Sequence, residues 1–126
     1  MKDITNDLPA VLADHIAAHN RPDPEAFLKT FASDALLNDA QREFFGHNAI
    51  RAWADKEIFA DNVRMEIQRA WEHSSGVVVH AKYEGDFDKT NLPDPLILTN
   101  YFAIREGRII QLIILLNKRI WEPQKA

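Results

Sequence analysis

A chain of 126 residues, 46% hydrophobic and 10% aromatic, is the size of one ordinary domain and can bury a real core, so residues 1–126 read as a single domain. Its 15 basic and 19 acidic residues are interspersed and give a net charge of -4, leaving no basic stripe for a phosphate backbone and so no expectation of nucleic acid as a partner. The absence of cysteine excludes disulfides, thiolate chemistry and cysteine-ligated zinc; with no apolar signal core and no apolar run long enough for a bilayer, the expectation is a soluble, cytoplasmic protein that makes no membrane contact.

Asn6 or Asp7 is placed to cap a first helix with Pro9 in its first turn and Leu8, Val11, Leu12 and Ile16 as its apolar face. His15 and His19 continue that stripe, so both point toward the interior or its edge. Asn20-Arg21-Pro22 ends the helix. Asp23-Pro24-Glu25 starts a second one, a cap followed by proline at the first helical position, with Phe27, Leu28 and Phe31 as its buried side.

Ala35 to Asp39 reads as a short strand that ends on a carboxylate. Ala40 to Gly46 reads as a polar connection whose two large apolar residues, Phe44 and Phe45, tuck over a core or a pocket. Asn48 is the expected cap of a third helix, with Ile50, Trp53, Ala54 and Ile58 on its apolar face. From Val63 the period changes to two: Val63, Met65, Ile67 and Arg69 alternate with Arg64, Glu66, Gln68 and Ala70 up to the turn His73-Ser74-Ser75-Gly76. Val77, Val79, Ala81 and Tyr83 then alternate with Val78, His80, Lys82 and Glu84 in an antiparallel partner strand. After a loop from Phe87 to Pro95, a second hairpin runs from Leu96 to Ile104 and from Arg108 to Leu116 across Arg105-Glu106-Gly107.

This order predicts a segregated α+β domain, a curved antiparallel sheet with helices on its concave face, and a cavity between the layers that is the default site for a small apolar ligand. The run Ile109 to Leu116 is apolar on both faces while helices cover only one, which predicts a homodimer through the sheet. Trp71 and Trp121 fall at strand or tail positions where an interface accounts for them. His15 and His19 are spaced i, i+4, a geometry that can hold a metal, but no third ligand is spaced to complete a site; no metal and no cofactor are expected.

Three segments carry a resemblance to a known family: His15 to Asp39, with its Asn-Arg-Pro-Asp-Pro-Glu-Ala-Phe and Phe-Ala-Ser-Asp-Ala-Leu-Leu-Asn-Asp stretches; Phe45 to Ile50; and Arg105-Glu106-Gly107-Arg108-Ile109. Over about its whole length the chain resembles the nuclear transport factor 2-like superfamily, and within it the SnoaL-like polyketide cyclases and ketosteroid isomerases. The resemblance implies their cone-shaped fold and frequent dimerisation. It puts Asp39 where the isomerases keep the aspartate that shuttles a proton next to a carbonyl, and His15 where they keep the tyrosine that donates to the oxyanion. Counting back from the Gly-Arg-Ile turn, Thr99 takes the place of their second, acidic donor.

On the face of Thr99 the alternation places Ile97 and Tyr101, matched on the last strand by Ile110, Leu112, Ile114 and Leu116, so the implied pocket is mostly apolar. Trp53, Phe27, Phe31 and Phe45 are core or pocket wall. Scytalone dehydratases, similar in fold, work with histidines and an asparagine, which makes His80 and Asn100 candidates too, although strand parity sets both opposite the pocket face. The expected function is proton transfer next to a carbonyl of an apolar cyclic compound, by an isomerase or cyclase in which Asp39 moves the proton and His15, with Thr99 or Tyr101, polarises the oxygen. Alternatives are a non-catalytic binding or accessory protein, in which Asp39 caps a turn or pairs with an arginine, and a dehydratase centred on His80.

Overall fold

The computed structural model describes residues 1–116; Trp121 lies outside them. Strand β1 (Lys2–Asp3) precedes helices α1 (Ala10–Asn20) and α2 (Pro24–Lys29), strands β2 (Phe31–Asp39) and β3 (Arg42–Phe45), and helix α3 (Gly46–Ala54), which runs into one π-helical turn (Asp55–Phe59). Four long strands follow: β4 (Arg64–His73), β5 (Gly76–Glu84), β6 (Leu96–Arg105) and β7 (Arg108–Leu116). All seven strands form one curved sheet in the order β1-β4-β5-β6-β7-β2-β3, in which only β2 and β7 run parallel. The architecture is therefore the expected α+β one. Among the described residues no helix is long and apolar enough to cross a membrane.

Local chemistry explains most boundaries. Asp23 caps α2, its carboxylate accepting from the Ala26 N–H at 3.1 Å, with Pro24 at the first helical position where a missing N–H costs nothing. Neither Asn6 nor Asp7 caps α1; the flanking residue is Pro9, whose carbonyl accepts from both Leu12 and Ala13. Helix α3 starts at Gly46 rather than behind an Asn48 cap, because Gly46, at a φ of +85°, takes the sharp turn from β3 into the helix.

Two segments differ from expectation. Phe31 opens β2 instead of closing α2, since the Thr30 carbonyl accepts from Ile109 of β7 at 2.8 Å and draws the chain into the sheet. The stretch expected as a polar connection is a hairpin: Ala40 and Gln41 both have positive φ, 52° and 75°, and the pair closes β2 onto β3 with Asp39 directly opposite Arg42. In that hairpin Phe45 is 69% exposed, so it is neither core nor pocket wall, while Phe44 packs toward Trp53.

The register shifts in three strand pairs, β2–β7, β4–β5 and β6–β7, and in the last two the shift resets strand parity. Between Ile67 and Arg69 the register with β5 shifts, so Arg69 turns outward to bond Asp3 and Ala70 turns into the core, the reverse of a strict alternation. Between β6 and β7, Ile110 is the inserted residue: Ala103 pairs with Gln111 and Ile104 with Ile109. The core lies between the concave sheet face and the helices, with Leu12, Phe27, Phe31, Leu37, Ile50, Val79, Ile109 and Leu112 fully buried.

Candidate functional site

A cavity of about 370 Å³ opens between the helices and the concave face, a size that suits a small organic ligand. Asp39, His15, Trp53, Asn100, Leu112 and Ile114 all line it, joined by Phe27, His19, Met65, Tyr83, Leu98 and others.

Asp39 reaches the cavity because the tight hairpin ends β2 there. Its Oδ2 accepts from Trp53 Nε1 at 3.0 Å and from the Arg42 guanidinium at 2.8 Å; no bond to Oδ1 forms among the described residues. Arg42 also donates to Glu57 on the π-helical turn at 2.8 Å, and the Glu57 carboxylate, followed by Asp39, strengthens the hold of the guanidinium on its proton. The carboxylate is thus oriented through one oxygen only.

A second polar group lies on the walls made by α1, β5 and β6. His15 is 2% exposed and is ringed by Phe27, Phe31 and Phe102, with ring centroids 4.6 to 5.4 Å away. Burial, followed by the neighbouring His19, lowers its pKa from 6.5 to about 3, so the ring is neutral. Its Nδ1 is 3.1 Å from the Thr30 hydroxyl, and that hydroxyl lies 2.7 Å from the Phe27 carbonyl oxygen, which can only accept. Thr30 therefore gives its hydrogen to Phe27, and His15 Nδ1–H donates to Thr30. In a neutral ring that leaves a lone pair on Nε2.

His19 is 4% exposed, and burial lowers its pKa to about 4 against an opposing contribution from Asn20. The Asn20 amide is itself committed in both senses to the Met65 backbone, at 2.8 and 2.9 Å, and His19 Nδ1 is left without a partner among the described residues. Asn100, 2% exposed, accepts from the Tyr83 hydroxyl at 3.1 Å through Oδ1, while its Nδ2 is unpartnered. Burial raises the pKa of Tyr83, so that hydroxyl keeps its hydrogen. Among the described residues no group of three or more histidine, aspartate or glutamate side chains is placed to hold a metal.

Five expected site residues lie elsewhere. On β6 the cavity face carries Leu96, Leu98 and Asn100, so Thr99 and Tyr101 point the other way; Thr99 is covered on the convex side and Tyr101 is 42% exposed. The parity of β6 is the reverse of the sequence reading, because that strand is apolar on both faces and its alternation carries no phase. His80, paired with Thr99, also faces away and sits edge-on to Trp71 at 4.8 Å, so no dehydratase-like site forms around it. Phe31 is core behind His15, and Leu116, at the open end of β7, is outside the cavity wall. The sequence reading missed His19 and Tyr83 as site residues, although their inward parity is legible in the α1 stripe and the β5 alternation.

A family model described as a SnoaL-like domain matches residues 12–112. Among solved structures, the chain is similar to a candidate polyketide cyclase of Sinorhizobium meliloti, at 30% identity and a TM-score of 0.79 over 88% of this chain and 98% of that one. It is also similar to a protein of Catenulispora acidiphila with a ketosteroid isomerase-like fold, solved with trimethylamine, at 22% identity and a TM-score of 0.73 over 86% of each chain. A nuclear transport factor 2-like protein of unknown function from Cytophaga hutchinsonii aligns over 93% of each chain at 12% identity and a TM-score of 0.69. No curated protein matches the chain.

Proposed function

The chain belongs to the SnoaL-like domain family, and on that premise we propose that it is a cofactor-independent enzyme that moves a proton next to a carbonyl of an apolar cyclic compound, as an isomerase or cyclase. The observation that carries this reading is the Asp39 carboxylate on the wall of a mostly apolar cavity, oriented through Oδ2 by Trp53 and Arg42 and with no bond to Oδ1 among the described residues. Asp39 takes a proton from the carbon next to the carbonyl, the C–H electron pair moves into the enolate, and Asp39 returns the proton to the same or a conjugated carbon. The Asn100 Nδ2 hydrogens, unpartnered and buried on the cavity wall, supply the donor for the enolate oxygen. Thr99 and Tyr101 take no part, and the His15 hydrogen is spent on Thr30.

Exchange of acidic C–H hydrogens in deuterium oxide tests the chemistry before the natural substrate is identified. With β-tetralone as probe, the protein accelerates deuterium uptake, and Asp39→Asn slows it by at least about a hundredfold while fold and probe affinity persist. Undiminished exchange in that variant would sink the mechanism. The Asp39–Arg42 ion pair favours a second reading, ligand binding without chemistry; it predicts probe binding with no exchange in the unmodified protein.

We propose also that the chain forms a homodimer through the convex sheet face. Tyr101 pairs there with Ile113, and Leu115 is 38% exposed, so an apolar strip faces away from the cavity. Sedimentation equilibrium reads the mass directly, and Ile113→Lys shifts it toward the monomer.

A further inference from the structure

His15, His19 and Asn100 belong to the lining of one cavity, and the hydrogen-bonding senses of their nitrogens differ. Asn100 Nδ2 carries hydrogens and asks for an acceptor. His15 Nε2 is assigned a lone pair and asks for a donor, because the Thr30 hydroxyl lies closer to the Phe27 carbonyl, at 2.7 Å, than to His15 Nδ1, at 3.1 Å, which places the ring hydrogen on Nδ1. His19 Nδ1 lies beside the same aromatic set, its ring 6.1 Å from Phe27 and 6.2 Å from Tyr83. Buried polar groups without partners are costly, so Asn100 Nδ2 and His19 Nδ1, both unpartnered among the described residues, mark where a ligand completes the bonding.

A bare ketone satisfies only part of this arrangement. Its oxygen accepts from Asn100, but set against His15 Nε2 it would face lone pair to lone pair. Resting on the reading of this cavity as the ligand site, we propose that the compound it takes is a hydroxy-carbonyl compound: an apolar ring system whose hydroxyl donates to His15 Nε2 and whose carbonyl oxygen accepts from Asn100 Nδ2. His15 is then a specificity residue that selects a hydroxyl, and the acid-base chemistry stays with Asp39. Protonation of His15 does not rescue a ketone at neutral pH, since burial among Phe27, Phe31 and Phe102 keeps the ring neutral.

The test compares ring-hydroxylated β-tetralones with their methyl ethers, which keep the ring and the acceptor oxygen but carry a methyl group in place of the donor hydrogen. By calorimetry the best hydroxylated isomer binds at least about tenfold more tightly than its ether. His15→Phe, which conserves an aromatic ring in an aromatic shell, reduces that preference to about twofold or less. Should His15→Phe fail to fold, nitrogen NMR of the unmodified protein decides: the His15 ring shows its hydrogen on Nδ1 and a bare Nε2 whose signal moves when the hydroxylated probe is added. Equal affinities, no binding by any probe, or a hydrogen on Nε2 would each overturn the proposal. Asp39→Asn keeps the hydroxyl preference, so loss of deuterium exchange in that variant leaves the ligand class standing, and undiminished exchange removes the proton-transfer reading without touching it.

Discussion

Trp53 Nε1 donates to Asp39 Oδ2 at 3.0 Å, tying helix α3 to the last residue of β2. Trp53 is itself 6% exposed and packs beside Phe44 of the hairpin, so the donor is held by the core rather than by solvent-exposed side chains. Trp53→Phe keeps the ring and removes the N–H. Deuterium exchange is expected to slow by about tenfold, and stability to fall by about 1–3 kcal/mol from the lost bond and the smaller ring. Exchange rates and urea midpoints measured side by side check both; an unchanged rate would show that Arg42 alone orients Asp39.

The two buried histidines make stability depend on pH with a defined sign. Their folded pKa values are lowered to about 3 and about 4, against 6.5 in the unfolded chain. Above 6.5 neither state binds these protons, and the stability is fully present. As pH falls below 6.5 toward 4 the unfolded chain takes up protons that the folded chain refuses, so stability drops by up to about 1.4 kcal/mol per pH unit for each histidine. Urea denaturation across this window should show the decline, and His15→Phe should flatten it.

Tyr83→Phe removes the hydroxyl that donates to Asn100 Oδ1 at 3.1 Å. A buried amide oxygen is then unpaired, at a cost of about 1–3 kcal/mol, and the amide is free to turn over. The expected result is a lower denaturation midpoint together with weaker binding of carbonyl probes, since Nδ2 no longer has a fixed direction. Equal affinity in this variant would mean that Asn100 does not contact the ligand.

Gly76 closes the β4–β5 turn at a φ of +154°, and a Cβ there would overlap the Phe102 carbonyl oxygen of the neighbouring strand. Gly76→Ala forces backbone apart inside the sheet wall that carries Asn100, with an expected loss of about 2–4 kcal/mol. A melting temperature within about one or two degrees of the unmodified protein would contradict the close approach.

Much of the fold is legible in the sequence because local signals agree with the global arrangement. The Asp23-Pro24 cap, the Leu12-His15-His19 stripe and the Val77-Val79-Ala81-Tyr83 alternation each identify an element and its inward face from spacing alone. The Ala40-Gln41 hairpin is not legible, since neither residue is a glycine or asparagine and the strain of positive φ at both is offset by the pairing of β2 with β3.

By itself the sequence put His15 on the inward stripe of one helix, Trp53 on the apolar face of another and Asp39 at a strand end, signals that depend on neighbours a few residues away; all three line the cavity. Only the tertiary structure decided which β6 residues join them. Leu96 to Ile104 is apolar on both faces, so its phase comes from pairing with β5 and β7, which puts Asn100 beside Val79 and Ile114 and sends Thr99 outward with His80. The tertiary structure likewise decided the sense of His15, because the atom that takes its hydrogen belongs to Thr30, on a turn between α2 and β2 that no spacing in α1 reveals.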